Sequence, residues 1–346
     1  MLVIFLLVFL FGFFFTPILI KFSIKNNFYK NIQHRDIHLL KTPNIGGVSI
    51  FLAFIFGFTL FCFFYYDLFL EKYYLNTFFI FSCFLIFLSG LIDDIFNISY
   101  ILKFLLQFII GILLVYFFNT KILSFYGLFG LYDFSPFFLS FFSVFVFVFI
   151  INSYNLTDGL DSLASLLGIF ILTIFSIIFY FNNIFFESFI AFSIVISLIS
   201  FLYYNKTPSK IFMGDSGSLL IGFIISYFAL NLCNLPLDNS GIVNPVLILC
   251  LLAYPSIDTL RVFFVRIINN KSPFIADRNH IHHIFFKRFS NHLLISIFIV
   301  IYTLILLIIC YNIRDNITFS FFLMVFLAIF LIYIPILLHN FLNKKK

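Results

Sequence analysis

Five polar clusters, at residues 41–47, 93–97, 152–161, 205–218 and 258–283, interrupt a chain that is otherwise almost all hydrocarbon. The apolar runs between them have the length a helix needs to cross a bilayer, roughly 17–25 residues for a hydrocarbon core about 30 Å thick. Cutting at the polar breaks gives eleven candidate spans, near residues 2–20, 45–66, 76–92, 101–118, 136–152, 162–181, 184–204, 216–233, 243–264, 293–311 and 318–342. Threaded in order, they bring all five clusters to one side of the membrane. Only 10% of the residues are charged and 63% are hydrophobic, whereas soluble domains carry about 25% charged residues. The expected fold is therefore an all-α polytopic membrane protein with about 11 transmembrane helices, a single integral-membrane domain over residues 1–346.

Charge gives the orientation. With the N-terminus outside, 17 of the 20 Lys and Arg fall in inner loops or at the C-terminal end, leaving Lys72, Lys121 and Arg314 outside. Basic residues flanking spans are held on the inner side, so this split fixes the threading. Eight of the 14 carboxylates and all seven His fall on that inner side as well, and the charged chemistry is expected there. The first twenty residues have the hydrophobicity of a signal sequence but no basic residue ahead of it and no small-x-small cleavage site. Lys21, Lys25 and Lys30 follow instead, which reads as a first span. The five Cys show no ligand-like spacing and read as packing residues. Between residues 120 and 135, Gly127 and Gly130 among aromatic residues suggest a short outer hairpin, with a plain connector as the alternative.

A chain that merely spans a bilayer has no need of so many acids and imidazoles on one face; an enzyme acting on a charged substrate at the lipid boundary does. Asp93 and Asp94 end the third span, and adjacent helical residues point about 100° apart, so the two carboxylates can face different partners. A solvated helix end is the plain alternative. Asn152, Asn155, Asp158 and Asp161 recur every three residues into the sixth span, a spacing that aligns polar groups on one helix face; a helix cap would explain one Asp but not four residues. In FMGDSGS, Asp215 stands between Gly214 and Gly217 at the start of the eighth span. Backbone N–H groups there favour phosphate and the carboxylate favours a hard cation such as Mg²⁺. Arg261, Arg266, Lys271, Arg278, His280, His282 and His283 form a cationic partner for these acids. The His spacing is not that of a helical zinc site, and phosphate contact suits it better.

Taken together, KTPNIGG, LIDD, NLTDGLDSLA, FMGDSGSLLIGF, PSIDTLRV and DRNHIHH resemble the motifs of the polyprenyl-phosphate N-acetylhexosamine-1-phosphate transferases, the MraY/WecA family or glycosyltransferase family 4. The resemblance covers nearly the whole chain and is to the WecA-like branch. It implies transfer of N-acetylglucosamine 1-phosphate, or a related N-acetylhexosamine 1-phosphate, from a UDP-sugar to undecaprenyl phosphate, with release of UMP. The peptidoglycan reaction on UDP-MurNAc-pentapeptide and, in a different class, a lipid-linked-sugar transporter are the alternatives. It further implies Mg²⁺, with Mn²⁺ in reserve, and a multi-pass protein of the bacterial inner membrane with a periplasmic N-terminus, a cytoplasmic C-terminus and a cytoplasmic active site. Membrane lipid is a partner, nucleic acid is not, and a homodimer is left open. By position, Asp215 and Asp94 match metal-site residues. Asp93, Asp94, Asp158, His282 and His283 match catalytic positions. Asn155, Leu156, Asp161, Asn205, Phe212, Arg278 and His280 match substrate-binding ones. This chain has Asn97 where relatives with the extended acidic motif carry a third Asp, and Lys41 stands directly before Thr42 and Pro43, unlike the loop lysine of the peptidoglycan branch.

Overall fold

The computed structural model of the protein describes residues 1–26, 28, 42–132, 134–233, 235, 245–272 and 279–343. Its helices are α1 (Leu2–Lys25), α2 (Gly46–Phe64), the short α3 (Tyr66–Leu70), α4 (Tyr73–Phe96), α5 (Tyr100–Phe117), α6 (Pro136–Asn155) and α7 (Leu163–Phe181). They continue with α8 (Phe185–Asn205), α9 (Gly214–Cys233), α10 (Pro245–Leu251), α11 (Ala253–Ile268), α12 (Ile281–Phe289), α13 (His292–Asn312) and α14 (Ile317–Asn343). Among the described residues nine helices are long and apolar enough to cross a bilayer, and α10 with α11 makes a tenth span bent by 72°. The 27-residue α14 stands at the eleventh expected position. Helices are what a lipid environment selects, because each satisfies its own backbone hydrogen bonds.

The ninth span departs from the expected continuous helix over 243–264. Pro255 lacks the N–H that would reach the Leu251 carbonyl, and its ring crowds that carbonyl. The helix accordingly breaks at Leu252 and resumes as α11 in a new direction. The suggested hairpin is present as a tight turn with a single bridge between Leu128 and Leu131. The Phe129 N–H donates to Thr318 at the start of α14.

Helix α9 forms the centre of the bundle, packed chiefly against α4 and α6 and also against α2. All of its residues are buried except Asp215, Asn231 and Cys233. Aromatic packing fills the space around it: the Phe79 ring lies 5.6 Å from Phe223, 4.5 Å from Tyr227 and 5.9 Å from Phe228. In lipid there is little hydrophobic drive between helices, so close backbone approach at small residues holds the bundle instead. Gly47 of α2 makes such an approach, since a Cβ there would collide with the Gly217 backbone nitrogen.

The two ends of the bundle differ. At one end Asn44 bonds Asp94, Asp158 accepts from Gly214, and His280 pairs with Asp258. At the other, the N-terminal amine donates to Tyr65 and Lys72 pairs with the buried Glu187 at 3.2 Å. All five polar clusters with described residues thus converge on one face, as the threading requires.

Gly47→Val should force α2 from α9 and cost about 1–3 kcal/mol, the usual range for overpacking. Unfolding of the purified protein in detergent reads this, with lipid-facing Phe63→Val (Phe63 is 80% exposed) as the unperturbed control.

Candidate active site

The site is built on the first turn of α9. Its N-terminal N–H groups have no partner within the helix, and Asp94, from the last turn of α4, supplies one. Asp94 Oδ1 accepts from the Asp215 N–H at 2.8 Å and from Asn44 Nδ2 at 3.0 Å. Its Oδ2 accepts from the Ser216 N–H at 3.0 Å and the Ser216 hydroxyl at 2.7 Å. Asp94 therefore has both oxygens engaged in holding α9. Gly214 is required beside it: its φ is 73°, and a Cβ would run into the Asn44 carbonyl and, at 2.6 Å, into Asp94 Oδ2. The segment before α2 completes the cradle, with the Phe212 N–H donating to the Pro43 carbonyl at 2.8 Å and Gly46 and Gly47 returning bonds to Phe212 and Met213 at 3.0 and 2.8 Å.

Asp93 points the other way, as adjacent helical residues must. Its Oδ2 lies 3.0 Å from Lys103 Nζ, and the same ammonium lies 2.6 Å from Asp215 Oδ2. Three carboxylates from two helices are thus gathered, and the two not consumed by backbone capping share one cation. Lys103 extends from the first turn of α5. Below it, Gln107 accepts from Asn152 Nδ2 at 2.5 Å, which carries a polar seam from α5 to α6.

The opposite wall comes from the segment after α6 and from α12. Asp158 Oδ2 accepts from the Gly214 N–H at 3.2 Å, and Asn155 Nδ2 donates to Ser218 at 3.2 Å, so both sit against the start of α9. The next residue, Gly159, borders the imidazoles: a Cβ there would collide with His282 Nε2 and come within 3.1 Å of His283 Nε2. The His motif therefore stands one residue from the carboxylate that contacts α9. Burial and the neighbouring His283 push the His282 imidazole well below the usual histidine range, so it is neutral near pH 7. Asp258 accepts from His280 Nδ1 at 2.9 Å, from the Ile281 N–H at 3.1 Å and from Arg261 at 2.9 Å.

The expected site residues divide accordingly. Asp93, Asp94, Asp158, Asp215, Asn155, His280, His282 and His283 gather at this face, and Leu156 and Phe212 are half-buried beside it. Asp161 does not continue the three-residue array. Helix α6 ends at Asn155 and α7 starts at Leu163, so Asp161 precedes the helix rather than occupying its first turn. Its buried carboxylate lies 3.9 Å from His292 Nδ1 of α13, and its N–H donates to that ring at 3.1 Å. Asn205 accepts from the Ser162 N–H and Ser165 hydroxyl and donates to the Ile211 carbonyl, so its amide ties α8 to α7 and to the loop before α9. Asn97 is the exposed left-handed C-cap of α4, with φ 52°, a conformation that Asn tolerates well. Arg278 and Lys41 lie outside the described residues.

Sequence reasoning missed Lys103, counting it only as an inner basic residue. The available signal was a single cation inside an apolar span, nine residues beyond an acidic pair, because intramembrane charges are rarely unpaired. Asn44, Tyr254 and Asp258 were also passed over. Among the described residues no three His, Cys, Asp or Glu groups form a ready metal cage. Asp93 and Asp215, both turned toward the Lys103 ammonium, present carboxylate oxygens of the kind that suits a hard cation.

Asp94→Asn turns an acceptor into a donor against N–H and O–H groups. It should cost about 1–3 kcal/mol of stability in a detergent unfolding titration, the usual penalty for buried donors left unpaired. Asp215→Asn removes only half an ion pair and should leave the midpoint nearly unchanged. Equal losses would contradict this division of roles.

The family model described as "Glycosyl transferase family 4" matches residues 76–233, which hold α4 to α9 with both acidic motifs and the Asp158 segment. Over 280 residues the chain is 31% identical to an undecaprenyl-phosphate alpha-N-acetylglucosaminyl 1-phosphate transferase of Thermotoga maritima, covering 81% of this chain and 80% of that protein. A probable undecaprenyl-phosphate N-acetylglucosaminyl 1-phosphate transferase of Bacillus subtilis is 29% identical over 78% of this chain and 72% of its own length. The corresponding alpha-N-acetylglucosaminyl enzyme of Escherichia coli O157:H7 is 28% identical over 76% of this chain and 68% of its own. With the acid cradle, the Asp158 segment and the motifs that build them all present, this chain belongs to glycosyl transferase family 4.

Proposed function

We propose that this protein transfers N-acetylglucosamine 1-phosphate from UDP-N-acetylglucosamine to undecaprenyl phosphate, releasing UMP and starting a lipid-linked cell-surface polysaccharide. The observation that carries the reading is the meeting of Asp93 and Asp215 at the Lys103 ammonium, one residue's reach from Asp158 and the His motif. Its relatives are named for this activity.

In the reaction an oxygen of the lipid phosphate attacks the β-phosphorus of the UDP-sugar, the bond from that phosphorus to UMP breaks, and UMP leaves with the electron pair. Most of the work in such a transfer is alignment and neutralisation of phosphate charge. Lys103, at the head of a lipid-facing helix, is placed to meet a phosphate arriving from the bilayer. Asp93 holds that ammonium from one side and Asp215 from the other. His282, His283 and Asn155 stand on the opposite wall, on the side from which the soluble diphosphate would approach. The residues that would hold Mg²⁺, or Mn²⁺, are Asp215 and Asp93, while Asp94 keeps Asp215 in position by capping α9. When bound, the ion supplies charge neutralisation on the diphosphate.

We read the site face as cytoplasmic in a bacterial inner membrane, because 17 of the 20 Lys and Arg fall on it in the eleven-span threading. The DRNHIHH motif, with its Asp277–Arg278 lead, supports the N-acetylglucosamine branch over the pentapeptide branch. Purified protein with undecaprenyl phosphate and Mg²⁺ should release UMP from UDP-N-acetylglucosamine and not from UDP-MurNAc-pentapeptide; preference for the second donor would refute the branch. Lys103→Met should lower turnover roughly 100-fold or more, the scale set by removing one preorganised charge-stabilising group, and Lys103→Arg should recover part of the loss. Wild-type turnover in Lys103→Met would remove the ammonium from the mechanism.

A further inference from the structure

Helix α11 carries Tyr254 and Asp258 one turn apart, and each is bonded to the Nδ1 atom of a different imidazole. Asp258 Oδ2 lies 2.9 Å from His280 Nδ1, and the Tyr254 hydroxyl lies 2.9 Å from His282 Nδ1. The two rings are stacked, 5.5 Å apart at 13°. The periodicity matches: partners four residues apart on α11 face imidazoles two residues apart where the chain enters α12.

The chemistry of the partners decides where the protons sit. A carboxylate only accepts, so His280 Nδ1 carries a hydrogen and a neutral His280 keeps its lone pair on Nε2. Tyr254 differs. Its buried hydroxyl has a proton to place, and among the described hydrogen bonds it meets His282 Nδ1, so the O–H donates to that nitrogen. A neutral His282 must then carry its hydrogen on Nε2. That atom is buried and has no hydrogen-bond partner, and it faces the bare Cα of Gly159. An N–H in that state is a donor awaiting an acceptor, and it packs directly against Gly159, where any side chain would collide with it. We propose that Tyr254 and Asp258 are positioning residues that hold His282 and His280 in opposite tautomers. His282 Nε2–H thereby serves as a fixed donor to an anionic oxygen of the substrate, and His280 Nε2 as an acceptor.

The consequence is a division of labour between chemically identical side chains. A His282 ring free to exchange tautomers would present a lone pair to a phosphate oxygen for part of the time and repel it. Fixing the ring on its far nitrogen removes that state, as a carboxylate does for the imidazole of a hydrolytic triad. The low proton affinity of buried His282 agrees with a donor that stays neutral. Asp258 also caps α12 through Ile281 and pairs with Arg261, so the same carboxylate sets the position of the helix and of its first imidazole.

The activity part of this inference rests on the reaction proposed above; the tautomers do not. Full-length protein with ¹⁵N-labelled His rings, in bilayers and without substrate, should show His282 protonated on Nε2 and His280 on Nδ1. Tyr254→Phe should release His282 from its single tautomer and leave His280 as it was, and Asp258→Asn should disturb His280 first. In UMP release, Tyr254→Phe should lower kcat about tenfold in the wild-type background and less than twofold beside His282→Asn, because the tyrosine acts through that ring. A wild-type His282 protonated on Nδ1, rings indifferent to Tyr254→Phe, or equal losses in both backgrounds would overturn the assignment. If the wild type releases no UMP from any UDP-N-acetylhexosamine, the reaction reading fails while the ring resonances still decide the tautomers. Because Tyr254→Phe removes one oxygen and no bulk, it tests the idea even if Asp258→Asn does not fold.

Discussion

A single carboxylate placed against the open end of a helix organises this site. The start of α9 is the middle of the bundle, where unpaired N–H groups cannot turn to water, and Asp94 accepts from two of them and from the Ser216 hydroxyl. The positive end of the α9 dipole favours the same charge. Asp94 also binds Asn44, so the segment before α2, the end of α4 and the start of α9 are fixed relative to one another through one side chain. Gly214 is compelled by this closeness, and so is the absence of a side chain at Gly47. Asp215 owes its position to a neighbour's hydrogen bonds more than to its own.

The charge balance follows. Asp94 is held by helix N–H groups, which leaves Asp93 and Asp215 facing one ammonium. Asp93 is at the negative end of α4, where the dipole gives no help. Two carboxylates against one Lys leave one negative charge uncompensated at the edge of a low-dielectric region, where it weighs more than it would in water. Such a site favours additional cationic charge, and a bound cation in turn favours phosphate. The imidazoles and Arg261 on the far wall extend the same preference. A diphosphate entering between these walls meets donors on one side and cation-binding oxygens on the other.

How far the sequence revealed this depends on the kind of signal. Apolar length gave the spans, because lipid imposes it, and ten of the eleven expected spans are single continuous helices. The ninth bends at Leu252 because of Pro255, which hydropathy does not register. The acidic motifs were visible as polar interruptions of hydrocarbon, but their division of labour was not. Asp93 and Asp94 are equivalent in composition, and only the packing of α4 on α9 sends one to backbone and the other to Lys103. Lys103 itself was hidden by its neighbours, since in a count of loop charges it looks like any other flanking base.

Asp161 and Asn205 show the reverse case, motif residues whose polar atoms are occupied by the scaffold. Helix α6 ends at Asn155, and the turn that follows rotates Asp161 away from Asp158 toward His292. Asn205 engages Ser162, Ser165 and Ile211. Ser162 has a left-handed backbone, with φ 68°, and the Asn205 amide accepting from its N–H holds the chain in that conformation. The residues between Asn155 and Leu163 thus make a rigid turn, anchored to α8 through Asn205 and to α13 through Asp161. From that turn Asp158 reaches α9 and Gly159 makes room for His282. A polar residue in a motif of this kind acts on substrate by pointing at it or by fixing the backbone that does, and spacing alone does not separate the two. In this chain the separation comes from where α6 ends: residues up to Asp158 turn toward the start of α9, and those after it hold the turn in place.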